Sequence, residues 1–177
     1  MAGMKGKQSV RDMVLSLGLI GIVAGFIYVF IPNDDSEPPL KRVDYRVELL
    51  TARRAAAYPV AAPEGLSKQW KATSVRFQGA DFDAWHLGFH DPDGEYVAIE
   101  QSTQKPVTFI DDASQGAEET NKTQRIGERS WQRYEGAKYD ALVLKEKGST
   151  TVVTGTASFA QLTKMAGALK TEQGPYA

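Results

Sequence analysis

An α+β domain carried behind one membrane helix is the architecture this sequence predicts, and three observations predict it. Residues 13–31, MVLSLGLIGIVAGFIYVFI, form an apolar run without a charged side chain. From residue 73 onward, short segments alternate apolar and polar residues with the period of two that marks β-strands. Near the C terminus, Ser158 and Gln161 make a capping box that opens a segment whose apolar residues recur at helical spacing.

In chain order, residues 1–12 read as a cytoplasmic tail, 13–31 as a transmembrane helix, 32–43 as a linker and 44–177 as an extracytoplasmic domain. At about 1.5 Å per residue the apolar run reaches about 28 Å, close to the roughly 30 Å of bilayer hydrocarbon. A helix satisfies its own backbone hydrogen bonds, so residues 13–31 can sit in lipid without bare amides. Lys5, Lys7 and Arg11 precede the run and an acidic stretch, Asp34 to Glu37, follows it. The positive-inside rule then puts the N terminus in the cytoplasm and the domain outside the cell membrane. A cleaved signal peptide competes with this reading, but the run is long for one and no A-x-A site closes it. Gly21 and Gly25 make a G-x-x-x-G spacing that lets membrane helices approach closely, so a homodimer through that face is one expectation.

Composition excludes several function classes. The chain has no cysteine, which removes disulfides, thiolate metal sites, cysteine nucleophiles and a lipoprotein anchor. Without Lys5, Lys7, Arg11 and Asp12, 18 basic residues face 21 acidic ones, a net charge of −3. A nucleic-acid-binding domain carries a basic surplus, so nucleic acid is not an expected partner. At this size a single core suffices without a stabilising metal.

Residues 32–39 form a Pro- and acid-rich spacer. From Asp44 to Ala57 the pattern is helical, with Val47, Leu50 and the alanines on one face and Arg46, Arg53 and Arg54 elsewhere. Tyr58-Pro59 ends that helix, and an extended segment broken by Pro63 and Gly65 runs to Trp70. Strands are expected over 73–78, 84–90 and 95–101, then a short helix over 106–113 and a polar loop to Asn121. Further strands follow over 123–129, 130–134, 139–145 and 150–156. The last two are apolar on both faces, so they belong in the middle of the sheet. The closing helix presents Phe159, Leu162, Met165, Ala166 and Leu169. The sum is an antiparallel sheet with flanking helices, including an amphipathic one at the C terminus.

The turn Asp91-Pro92-Asp93-Gly94 allows a sharper inference. Pro suits the second turn position, and Gly suits a left-handed residue that makes a bulge. A three-residue loop then pairs Asp91 with Glu95, His90 with Tyr96, Phe89 with Val97, Leu87 with Ile99 and His86 with Glu100. This register gathers Trp85, Leu87, Phe89, Val97 and Ile99 on one core face. A four-residue loop would mix the apolar and polar sets. The opposite face carries His86, His90, Tyr96 and Glu100 around the small residues Gly88 and Ala98, and these four are the candidate ligand-binding residues. Strand positions four apart are separated by about 13 Å, too far for both imidazoles to reach one metal ion. A His86–Glu100 cross-strand pair is the better physical reading.

Other chemistry finds little support. No G-x-S-x-G elbow supplies a serine, and no Walker loop is present. Asp91 to Gly94 lacks the glutamate that completes a calcium loop. No cofactor is implied.

Five segments together resemble one family. They are Arg11-Asp12-Met13 entering the membrane run, YPVAAPEGL (58–66), WHLGFHDPDGEYVAIEQS (85–102), the W-x-R-Y of Trp131 to Tyr134, and TTVVTGTAS (150–158). The chain is similar over nearly its whole length to the family known as domain of unknown function 4245. The resemblance implies an actinobacterial envelope protein with one N-terminal membrane helix, and it implies no activity.

Three functions are therefore open. The domain holds or senses another envelope protein; or it binds a small ligand on the His86, His90, Tyr96 and Glu100 face; or, least favoured, it hydrolyses envelope material. The last requires a nucleophile or second carboxylate within hydrogen-bond reach of a histidine.

Overall fold

The computed structural model describes residues 5–30 and 41–174, and the chain divides into two units, residues 1–39 and 40–177. In the first, α1 (Lys5–Phe30) is a single helix whose segment Val10–Ile27 has a mean hydropathy of 1.9 and no buried side chain. By length and composition α1 is able to cross a membrane, and a signal sequence meets the same test. The spacer expected at 32–39 lies outside the described residues.

Among the described residues of the second unit, seven strands form one antiparallel sheet in the order β2-β3-β4-β8-β7-β6-β5. These are β2 (Lys71–Gln78), β3 (Ala84–His90), β4 (Tyr96–Ser102), β5 (Glu118–Ile126), β6 (Arg129–Glu135), β7 (Asp140–Glu146) and β8 (Ser149–Gly155). Each is joined to a neighbour by local antiparallel pairing except for β4–β8, where α3 (Pro106–Ser114) and the β5–β7 meander intervene. β8 lies at the centre with β7 beside it, as their two-sided apolar patterns require.

Each face of the sheet buries its own cluster. On one face Trp85, Leu87, Phe89, Val97, Ile99, Trp131, Leu142 and Val153 pack with Leu49 and Ala52 of α2 (Arg46–Ala55) and Leu162 and Met165 of α4 (Phe159–Ala168). A short two-stranded sheet, β1 (Val60–Pro63) with β9 (Leu169–Glu172), belongs to the same layer. β1 is buried throughout, so its backbone needs partners. The Gln101 side chain accepts from the Ala61 N–H at 2.7 Å, and the Trp85 indole donates to the Ala61 carbonyl at 3.0 Å. On the other face α3 rests chiefly on β7 and β8, with Phe109 and Ile110 clustered with Tyr134, Ala141, Val143 and Val152.

Four expectations need correction. Helix α2 buries Leu49, Ala52 and the following Ala56, while Val47 and Leu50 are 74% and 53% exposed. Two stripes of the helix were equally periodic, and the one with small alanines won because it allows close approach to β1 and β2. The polar loop before Asn121 is already strand, since β5 begins at Glu118. It is an outer strand rich in charge, which discourages further pairing, and its sequence therefore lacks an apolar face. The turn between β5 and β6 falls at Gly127-Glu128, where Gly127 has φ +59°, and not after Arg129. Finally, Ser158 caps α4 by accepting from the Gln161 N–H, but the Gln161 side chain donates to Asp93 Oδ2 at 2.9 Å, so it serves the hairpin turn.

The α2 correction is testable by chemical denaturation of the full chain. Leu49→Ala is expected to cost about 2 kcal/mol or more by leaving a cavity, and Val47→Ala to stay within about 0.5 kcal/mol. Equal costs would contradict the observed face.

Candidate functional site

The site begins at the β3–β4 turn. Asp91 N–H donates to the Glu95 carbonyl at 2.9 Å and Gly94 N–H to the Asp91 carbonyl at 3.1 Å. Gly94 takes φ +87°, a conformation that L side chains rarely adopt, and closes the bulge. The Asp91 carboxylate, 4% exposed, accepts from the Asp93 and Glu95 amides through Oδ1. This turn gives the register expected from the sequence: His90 opposite Tyr96, Phe89 opposite Val97, Leu87 opposite Ile99 and His86 opposite Glu100. Asp91 and Glu95 form a hydrogen-bonded pair, so strict alternation makes His86–Glu100 a non-hydrogen-bonded one, where side chains stand closest.

His86 Nδ1 lies 2.5 Å from Glu100 Oε1. A carboxylate accepts only, so Nδ1 carries a proton and donates. In the neutral ring Nε2 is then an acceptor, and the Ser74 hydroxyl stands 2.8 Å from it. Ser74 arrives there through a bulge. Ala72 pairs with Phe89 and Ser74 with Gly88, leaving Thr73 as the extra residue. Without the bulge Ser74 would oppose Leu87 and face the core. The Tyr96 phenol stands beside Ser74 as well. Gly88 makes room for the group: a Cβ there would lie 2.3 Å from Ser74 Oγ and 2.9 Å from the Tyr96 hydroxyl oxygen.

Because α3 stops short of β3 and β4, this face opens into a cavity of about 390 Å³. His86, Tyr96, Ala98 and Glu100 form its floor, and Arg76 and Asp81 its β2 side. Phe109, Asp112 and Gln115 of the α3 region face them, with Tyr139 from the β6–β7 loop. Three of the four residues expected at the site, His86, Tyr96 and Glu100, thus share one concavity. His90 stands at the turn end of the hairpin instead, where Nδ1 donates to the Gly94 carbonyl at 2.8 Å. Its ring meets Tyr96 edge-on with centroids 6.0 Å apart. Among the described residues no three His, Asp or Glu side chains are arranged to hold a metal ion.

Ser74, Arg76 and Tyr139 are the functional candidates that the sequence reading missed. Ser74 had a signal: the apolar positions change parity between Ala72 and Val75, which is what a bulge does to a strand. Tyr139 had none, since its place depends on β8 carrying the β6–β7 loop back beside β4.

The geometry sits on a chain whose residues 5–169 match the family model described as Protein of unknown function (DUF4245). The chain belongs to this family. No curated protein matches it. The DUF4245 match spans both α1 and the sheet, so the apolar helix and the cavity-bearing domain are parts of one family pattern.

In this DUF4245 member burial, with the nearby Glu100 charge, pushes the Tyr96 phenol up to about 12, which the Ser74 hydrogen bond partly opposes. Tyr96 is therefore a neutral donor at any physiological pH. Burial raises Tyr58 and Tyr134 too, the latter aided by its hydrogen bond to Glu119. A phenol whose folded-state value lies above its unfolded one stabilises the fold fully below the unfolded value, 10.0, and less as pH rises through about 12. Thermal midpoints are accordingly expected to fall above pH 10, with Tyr96→Phe showing a shallower decline than the natural chain. Identical declines would mean that Tyr96 ionises as freely in the fold as outside it.

Proposed function

We propose that the protein is a single-pass membrane protein whose domain stands outside the cytoplasm and binds a small hydroxylated ligand between α3 and the polar sheet face. Helix α1 serves as the anchor, with the basic N-terminal segment in the cytoplasm. The observation that carries the binding reading is the cavity of about 390 Å³ over His86, Tyr96 and Glu100. Its volume suits a small molecule, and its polar groups converge from the sheet, the β2 side and α3. Asp81, Glu100 and Asp112 line it together with Arg76 and His86, and Tyr96, Phe109 and Tyr139 supply aromatic rings. Carboxylates and amides that accept and donate, set beside aromatic rings, fit a polyol or saccharide unit better than a strongly charged or greasy molecule.

An envelope protein partner is the second reading. It draws on Val47 and Leu50, which stand exposed on α2. A face of two side chains is small beside the patches that mark protein interfaces.

The natural absence of cysteine permits one experiment on both location and ligand. Gln104 lines the cavity, and Gln104→Cys places the only thiol of the chain there. A membrane-impermeant maleimide is expected to label this variant in intact cells, and millimolar monosaccharides or polyols to slow the labelling of the purified full chain. Labelling only after lysis would refute the outward orientation. Labelling unaffected by every member of the panel would refute the ligand class.

A further inference from the structure

The hydrogen-bond chain behind the cavity floor has an order that a binding surface does not require. Glu100 Oε1 meets His86 Nδ1 at 2.5 Å, and His86 Nε2 meets Ser74 Oγ at 2.8 Å. The three residues come from adjacent strands β4, β3 and β2 and share one sheet face. Carboxylate, imidazole and hydroxyl in this sequence of contacts are the arrangement that activates a serine for attack on a carbonyl. Two backbone features bring the cluster together. The Thr73 bulge turns Ser74 from the core face to the His86 face, and Gly88 leaves the space that Ser74 Oγ and the Tyr96 hydroxyl occupy.

We propose that Ser74 is a nucleophile, with His86 as its general base, and that it acts on a carboxylic ester of the hydroxylated ligand class assigned to the cavity. The inference rests on that reading for its substrate and on the side-chain geometry for its chemistry. Ser74 is partly exposed and touches His86 and Tyr96, both of which line the cavity. In the first step the Ser74 Oγ–carbonyl carbon bond forms while the hydroxyl proton passes to His86 Nε2. Glu100 is a positioning residue: it holds the ring by Nδ1 and stabilises the positive charge that the ring acquires. The oxyanion meets the Tyr96 O–H, which stands beside Ser74, and the nearby Arg76 charge. The ester C–O bond then breaks as His86 Nε2 returns its proton to the departing alcohol oxygen. Water attacks the acyl-Ser74 carbonyl, loses a proton to His86 and releases the carboxylic acid, restoring the Ser74 hydroxyl.

A fluorophosphonate probe tests the nucleophile without knowledge of the substrate. Attack by Ser74 Oγ on phosphorus displaces fluoride, and the serine proton leaves through His86, so the product is a stable phosphonyl ester. The full chain in detergent is expected to gain one phosphonyl group, mapped to Ser74 by peptide mass spectrometry and absent from Ser74→Ala. His86→Gln, which keeps a donor for Glu100 but removes the base, is expected to react about 100-fold more slowly at an unchanged thermal midpoint. Added imidazole is expected to recover part of the lost rate. Glu100→Gln is expected to slow labelling and Glu100→Asp to recover it partly, which a merely structural carboxylate would not do. No adduct at Ser74 in the folded chain, or the same rate in His86→Gln, would overturn the proposal. The two readings fail separately: ligand protection of Gln104→Cys without an adduct removes the nucleophile alone, whereas an adduct without protection supports the nucleophile and removes the ligand class.

Discussion

The cross-strand register set by the Asp91–Glu95 turn is the constraint on which the rest of the domain depends. Side chains alternate along a strand, so a shift of one residue would exchange the two faces of β3 and β4. In the observed register Trp85, Leu87, Phe89, Val97 and Ile99 enter the core, and His86, Tyr96 and Glu100 face the cavity. The same turn therefore decides both stability and site. Three devices hold it: the Gly94 conformation, the two amides accepted by Asp91 Oδ1, and the Gln161–Asp93 bond that ties it to α4.

The cavity follows from an asymmetry between the two faces. On the core face α2, α4 and the β1–β9 pair cover the sheet, and buried β1 is tolerated because Gln101 and Trp85 satisfy Ala61. Among the described residues the opposite face carries α3, nine residues long and seated chiefly on β7 and β8. Strands β2 to β4 are thus left without a lid on that side. Polar side chains occupy the gap, which an apolar set would leave exposed to water.

Much of this was legible in the sequence because it rests on local rules. The turn residues, the period-two strands and the capped final helix each carry their own chemistry, and the β3–β4 register follows from them without reference to the remaining strands. What stayed hidden depended on neighbours distant in the chain. Which stripe of α2 is buried is decided by β1 and β2, and Val47 and Leu50 offered an equally good period. β5 concealed itself because an outer strand has little apolar pattern to show. The central position of β7 and β8 was readable from their two-sided apolar character, whereas the pairing of β4 with β8 that brings Tyr139 to the cavity was not. Ser74 lies between these cases: the parity change at Thr73 announced a bulge, but only the β2–β3 pairing shows which face the serine joins.

The register is open to direct measurement by nuclear Overhauser spectroscopy on the isotopically labelled full chain in detergent micelles. Non-hydrogen-bonded antiparallel pairs bring their α-protons together, because their Cα atoms are only about 4.5 Å apart. Strong Hα–Hα cross-peaks between His86 and Glu100 and between His90 and Tyr96 are the expected result. A cross-peak joining His86 to Ile99 would contradict it, and would take the carboxylate off the face that the imidazole and the serine share.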